Sequence, residues 1–241
     1  MRPLILALAL LWASLLQAAT YVVSVGIARY ADPRFTPLSN TETDAKAMAE
    51  FYKKGTPNVI TLTGRHASKS QILSSLKSQF ARAREGDKIV FFFSGHGYSG
   101  GFCPFDMTGL GSGLSYSEVI EVMNSSKASE KIIFADACHS GGLRQGDTVK
   151  NPDAGNILFF LSSRGTESSI ESPLAANGFF TKNLLRGLRG AADNNEDRQI
   201  TARELFQYVS AKTGEDTGGR QHPVMWGSFP DDMVIVKYKK K

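Results

Sequence analysis

The chain has 241 residues, 41% of them hydrophobic and 10% aromatic, with a formal net charge of +5. This is enough apolar material for one sizeable core, and a single main domain is the expectation at this length. The basic surplus is concentrated in Lys237 to Lys241, a solvated tail. With no basic helix carrying interleaved aromatics and no recognition motif, the composition argues against a nucleic-acid partner.

Met1 and Arg2 give a positive start, Leu4 to Leu16 is almost wholly apolar, and Gln17-Ala18-Ala19-Thr20 ends in small residues. Residues 1–19 therefore read as a secretory signal peptide, cut near Ala18 or Ala19, and 20–241 as the mature domain. The apolar run is shorter than the ~20 residues a spanning helix needs. No stable membrane insertion is expected after cleavage, and the product is exported, periplasmic or secreted. Cys103 and Cys138 are the two cysteines. They are a sparse framework for a chain that can bury its own core, so two thiols are expected in preference to a disulfide.

In chain order, Tyr21 to Ile27 reads as the first strand. Ser39 with Glu42 suggests a capping box opening a helix through Ala45, Met48, Ala49 and Tyr52. Asn58 to Thr63 is a short strand. Ser68 with Gln71 opens a second helix, with Ile72, Leu76 and Phe80 on one face. The apolar strand from Lys88 follows, then a Gly-rich stretch, a helix opened by Ser115 with Glu118, and the strand from Lys131. Residues 140–156 read as a long polar loop, Asn156 to Ser162 as a fifth strand, 178–189 and 201–211 as helices, and 233–237 as a late strand. Strands alternating with helices in this way predict an α/β fold, a doubly wound, mostly parallel β-sheet flanked by helices on both faces.

Two strands have similar ends. Lys88-Ile89-Val90-Phe91-Phe92-Phe93 runs into Ser94-Gly95-His96-Gly97, and Lys131-Ile132-Ile133-Phe134-Ala135 into Asp136-Ala137-Cys138-His139-Ser140-Gly141-Gly142. Unbroken apolar runs suit strands buried on both faces. As parallel neighbours they would deliver an imidazole and a thiol to the carboxyl edge of the sheet, where open α/β folds build their sites. A thiol is a nucleophile as thiolate, and a nearby imidazole can take its proton, so His96 and Cys138 form a candidate catalytic dyad. The backbone N–H groups of Gly97 and Cys138 are candidate oxyanion donors. Separately, a strand-end cysteine is commonly a small buried hydrophobe and a histidine between glycines a turn residue; their occurrence at matching ends favours chemistry. His96, Cys138 and His139 are zinc-ligand types, but no metal-ligand spacing accompanies them.

These segments resemble the His and Cys motifs of the caspase-like cysteine peptidases, specifically the metacaspase-like bacterial branch. The resemblance extends through Val25-Gly26-Ile27, Tyr30, Leu38, Asp44-Ala45, Leu161-Ser162-Ser163-Arg164-Gly165, Gly178-Phe179-Phe180-Thr181 and Gln221-His222-Pro223-Val224. Ala137 stands where many relatives carry Ser. The resemblance implies a caspase-like fold and a cysteine-type endopeptidase in which Cys138 attacks the peptide carbonyl and His96 handles the protons. It implies no third carboxylate and no required cofactor. It also assigns Asp44 and Asp136 to the pocket for the residue before the scissile bond, so cleavage after Arg or Lys is expected. Taken alone, Asp44 could be a helix first-turn acid and Asp136 a strand-end cap; Arg29 and Arg164 would be the pocket cations if cleavage followed Asp. In the family the linker after the nucleophile can be cut during activation, which makes Arg144 and Lys150 candidate self-processing sites; an ordinary exposed loop is the alternative.

Asp193, Asn195, Asp197 and Glu204 match the first, third, fifth and twelfth positions of an EF-hand loop. Arg198 occupies the sixth place, where Gly is needed, so a helix–loop–helix without metal is the expectation and calcium the alternative. Protein or peptide substrates and a monomeric state are expected. The competing functional class is a catalytically inactive caspase-like module that binds peptides or proteins, and a third is a small-molecule acyl hydrolase using the same dyad.

Overall fold

The computed structural model describes residues 18–98, 100–137, 156–163, 177–230 and 232–238. Cys138, His139, Arg144, Lys150, Arg164 and the leader up to residue 17 lie outside them.

The centre is a six-stranded sheet. Its parallel strands are β1 (Thr20–Gly26), β2 (Val59–Thr63), β3 (Lys88–Gly95), β7 (Glu130–Ala137) and β8 (Ile157–Leu161). A sixth, antiparallel strand, β10 (Val224–Gly227), pairs with β8 and closes one edge, in the order β10-β8-β7-β3-β1-β2. Helices α2 (Lys69–Phe80) and α3 (Tyr116–Ser125) cover one face. On the other lie α1 (Thr41–Lys53), α4 (Phe179–Arg186) and α5 (Ala202–Asp216). This is the doubly wound, mostly parallel α/β arrangement expected from the alternation of elements. Among the described residues no helix is long and apolar enough to cross a membrane.

The two apolar runs take their sequence from burial on both sides. In β3, Phe91 and Phe93 pack with the α2–α3 layer while Val90 and Phe92 pack with the opposite layer, and all four are fully buried. Side chains alternate across a strand, so a sheet covered on both faces needs apolar residues at every position. Each buried Phe contributes roughly 1.5–3 kcal/mol relative to exposure. Register follows: Ser94 lies beside Asp136 and Gly95 beside Ala137, while Gly26 of β1 lies beside Ser94.

Helix starts agree with the sequence where a side chain makes the cap. Ser68 accepts from the Gln71 N–H, and the Ser115–Glu118 pair forms a reciprocal box. The expected Ser39–Glu42 box is not formed. The N-cap of α1 is Asn40, with no side-chain cap, and the helix starts at Thr41. Asn40 accepts the Asp44 N–H through its backbone carbonyl instead. The helix expected over 178–189 ends at Arg186 and continues as a π turn, Gly187–Ala191, broken at Gly190 (φ 117°). The late strand, β11 (Val234–Lys237), pairs with β9 (Gln199–Thr201) in a separate two-stranded sheet. A three-stranded sheet, β4 (Gly97–Tyr98), β5 (Gly101–Phe102) and β6 (Leu114–Ser115), hangs from the end of β3.

Gly26 shows how tightly α1 is held to the sheet. A Cβ there would fall on the Thr41 carbonyl oxygen and 2.7 Å from Ala45 Cβ. Gly26→Ala must push the first turn of α1 away from the sheet, and overpacking of this kind costs about 1–3 kcal/mol. Urea denaturation of the variant is expected to show that loss.

Candidate active site

His96 follows β3 directly, and its ring is half-buried. Its backbone N–H donates to Tyr30 Oη at 2.7 Å, and its Nε2 lies 2.7 Å from the Thr36 carbonyl oxygen. A carbonyl can only accept, so Nε2 is the donor, and in the neutral ring this tautomer leaves Nδ1 as the acceptor. Tyr30 and Phe35 wall the ring at centroid distances of 5.2 and 5.8 Å, and they stack on each other at 4.8 Å. A Cβ at Gly95 would lie 2.9 Å from Tyr30 Oη, so Gly95 lets the tyrosine reach the histidine backbone. Gly97 starts β4, and the Cys103 N–H donates to the His96 carbonyl at 2.9 Å. Cys103 is a buried thiol.

The described part of β7 ends at Ala137, opposite Gly95, one residue before His96 on the neighbouring strand. Cys138, including its backbone N–H as an oxyanion donor, lies outside the described residues.

Asp44 and Asp136 come together. Asp44 belongs to the first turn of α1 but is 1% exposed, so it is no solvated first-turn acid. Its Oδ2 accepts from Ser94 Oγ at 3.1 Å, and its Oδ1 accepts from Asn177 Nδ2 at 2.7 Å and the Gly178 N–H at 3.2 Å. Asp136, at the end of β7, accepts through Oδ2 from Thr181 Oγ1 at 2.8 Å and the Thr181 N–H at 3.3 Å. A Cβ at Gly178 would lie 3.0 Å from Asp136 Oδ2 and 3.4 Å from Asp44 Oδ2. Glycine there leaves both carboxylates converging on one small space. Burial, followed by the like charge of Asp136, pushes the Asp44 carboxyl up from 3.8 to about 8, against the lowering effect of its three donors. Arg29, the alternative pocket cation, is exposed.

Several of these contributors had no assigned role in the sequence. Ser94, Gly178 and Thr181 sit in motifs that carried the family resemblance, and Tyr30 in its opening segment. Asn177 had no signal. Thr36 acts through its main chain, so no side-chain pattern could reveal it.

The acidic loop behaves differently. Arg198 has φ 66° and Glu196 φ 59°, both left-handed. Arg198 thus makes the turn that glycine makes in an EF-hand, at a cost of about 1–2 kcal/mol. Asp193 Oδ2 accepts the Arg198 N–H, Asn195 Oδ1 the Asp197 N–H, and Asp197 Oδ1 the Gln199 N–H. Glu204 turns back to its N-cap, accepting from Thr201 N–H and Oγ1. Asp193, Asp197 and Glu204 do not converge; among the described residues no group of three or more His, Cys, Asp or Glu is placed to hold a metal.

A six-stranded, mostly parallel sheet covered by helices on both faces is the caspase-like α/β fold, and comparisons with known proteins agree. The caspase-domain family model matches residues 20–234, and the chain belongs to that family. A probable protease from a Desulfuromonadales bacterium is 28% identical over 173 residues, covering 59% of this chain and 21% of the relative. The chain therefore spans about a fifth of that relative's length. Among solved structures, caspase-1 from Spodoptera frugiperda superposes with a TM-score of 0.68 at 13% identity, covering 93% of this chain and 92% of its own. A protein from Geobacter sulfurreducens gives 0.67 at 18%, covering 89% and 95%. At such identities these two structures show a shared fold.

The raised Asp44 carboxyl has a consequence for stability. The folded state holds its proton up to about pH 8, whereas the unfolded chain releases it near 3.8. The folded state therefore binds more protons between those values, so this contribution is complete below 3.8 and is lost as pH rises towards 8. Urea melts between pH 5 and 8.5 are expected to show declining stability, and Asp44→Asn is expected to flatten that decline.

Proposed function

We propose that this chain is a cysteine-type endopeptidase that cleaves peptide bonds after Arg or Lys, with His96 and Cys138 as its dyad. The observation carrying this reading is the pairing of Gly95 with Ala137, after which the next two residues are the imidazole and the thiol. The Thr36 carbonyl supports it further, because it fixes the tautomer that leaves Nδ1 able to accept a thiol proton.

His96 Nδ1 takes the proton of Cys138, and the thiolate sulfur attacks the scissile carbonyl carbon. The C–S bond forms, the carbonyl π electrons move to oxygen, and the N–H groups of Gly97 and Cys138 receive the oxyanion. As the C–N bond breaks, the imidazolium returns its proton to the leaving amine. Water, deprotonated by His96, then attacks the thioester and releases the acid and the thiol. Every proton moves between Cys138, His96, the amine and water, so this chemistry needs no metal or cofactor, and calcium is not assigned a step.

The acidic pair supports specificity for a cationic side chain. Asp44 and Asp136 share a buried space beside Gly178, where a guanidinium or ammonium would offer several charge-assisted donors. A side chain ending in a carboxylate would meet two others there.

Otherwise identical reporter peptides with Arg, Lys or Asp before the bond test the reading. Arg and Lys are expected to be cleaved and Asp refused; preferential Asp cleavage sinks the pocket assignment. Cys138→Ala is expected to abolish turnover and labelling by a peptidyl-arginine electrophile, and His96→Ala to lower the rate by roughly 10²–10⁴-fold. Loss of a charge-assisted bond in Asp136→Asn should lower kcat/KM for Arg peptides by roughly 10–100-fold. A folded protein that binds such peptides but is never labelled would instead be a caspase-like binding module.

Export as a monomer, with the leader removed near Ala18 or Ala19, and self-processing after Arg144 or Lys150 belong to the same proposal. Intact-mass spectrometry of the secreted wild type against Cys138→Ala checks both cuts. Intact masses of the two leader-free chains that differ only by the Cys-to-Ala change would reject self-cleavage.

A further inference from the structure

A cavity of about 430 Å³ opens beside His96 on the side formed by the β4–β6 hairpins and the 106–110 loop. His96 and Gly97 line it, but Asp44, Ser94 and Asp136 are not among its walls. The acidic pocket and this cavity therefore lie against different parts of the site, with the histidine lining only the second. We propose that the cavity is the subsite for the substrate residue immediately after the scissile bond and that it selects a bulky apolar side chain there. The inference rests on the endopeptidase reading: the group that protonates the leaving amine must lie beside the residue carrying that amine.

The walls define the chemistry. Phe35, Tyr98, Met107 and Leu110 present apolar surface around His96. Tyr98 is held as a fixed wall, since a Cβ at either Gly101 or Gly113 would press into its ring. Phe35 is braced by stacking on Tyr30 at 4.8 Å. Arg34 stands at the rim with its charge already paired. Its Nε donates to both carboxylate oxygens of Asp32 at 3.0 and 2.9 Å, and its Nη2 donates to the Thr108 carbonyl at 2.9 Å. That last bond ties the loop before α1 to the loop bearing Leu110. Leu110 itself is 72% exposed, an uncovered apolar side chain at the mouth of the cavity. The size suits a ligand group, since such sites run from roughly 300 Å³ upward. A preformed apolar recess touching the proton donor fits Leu, Met or Phe and offers Gly nothing to bind.

The experiment uses internally quenched peptides with Arg fixed before the bond and Leu, Phe, Gly or Asp after it. Apolar pockets discriminate by about tenfold or more for a lost side chain. Leu and Phe peptides are therefore expected to exceed the Gly peptide by at least about tenfold in kcat/KM, with Asp poorest. Leu110→Asp replaces an exposed side chain and leaves the core intact; it is expected to reduce the Leu-to-Gly ratio several-fold, as is Met107→Ala. Cleavage that is indifferent to the following residue, or a Leu-to-Gly ratio that both variants preserve, overturns the subsite alone. Absence of Cys138-dependent cleavage of all four peptides overturns the endopeptidase reading and the subsite together.

Discussion

The parallel pairing of β3 with β7 is the constraint on which the site depends. Eight consecutive register pairs, from Lys88 with Glu130 to Gly95 with Ala137, leave no freedom in where the two strands end. A one-residue slip would turn Phe91, Phe92 and Phe93 to the wrong faces, and both faces of this sheet are packed. The hydrophobic core thus sets the alignment of polar chemistry that lies beyond it. Ser94 and Asp136 are adjacent because the phenylalanines below them cannot shift.

The acidic pocket is the costly part of the fold. A carboxylate buried without partners is strongly unfavourable, and two together add repulsion. Asp44 answers with three donors, from Ser94, Asn177 and Gly178, and Asp136 with two from Thr181. Those donors do not win outright, since burial and the neighbouring charge still raise the Asp44 carboxyl to about 8. The site tolerates that cost because β3, β7, α1 and the start of α4 hold the groups in place independently.

The strands β3 and β7 were legible because burial on both faces writes itself as an unbroken apolar run. The N-caps at Ser68 and Ser115 were legible because the capping chemistry lies in side chains. By contrast, Asn40 caps α1 through its main chain, so the Ser39–Glu42 pattern misled. β10 follows Pro223 and is a half-exposed edge strand of four residues, too short for periodicity to distinguish from a loop. β11 was legible as a late strand, but its partner, the three-residue β9 at the end of the acidic loop, was not. Of the site, His96 and the two aspartates were visible as residue types. The Thr36 carbonyl was not, because a main-chain acceptor leaves no residue identity to read.

Asp44 also shapes how the pocket would respond to its occupant. Near neutral pH the buried pair already holds a proton, so an arriving guanidinium displaces one positive charge as it brings another. The pocket then acts as a cation exchanger, with nearly the same net charge full and empty. On the proposed specificity, a cationic side chain and a proton would compete for the same carboxylates.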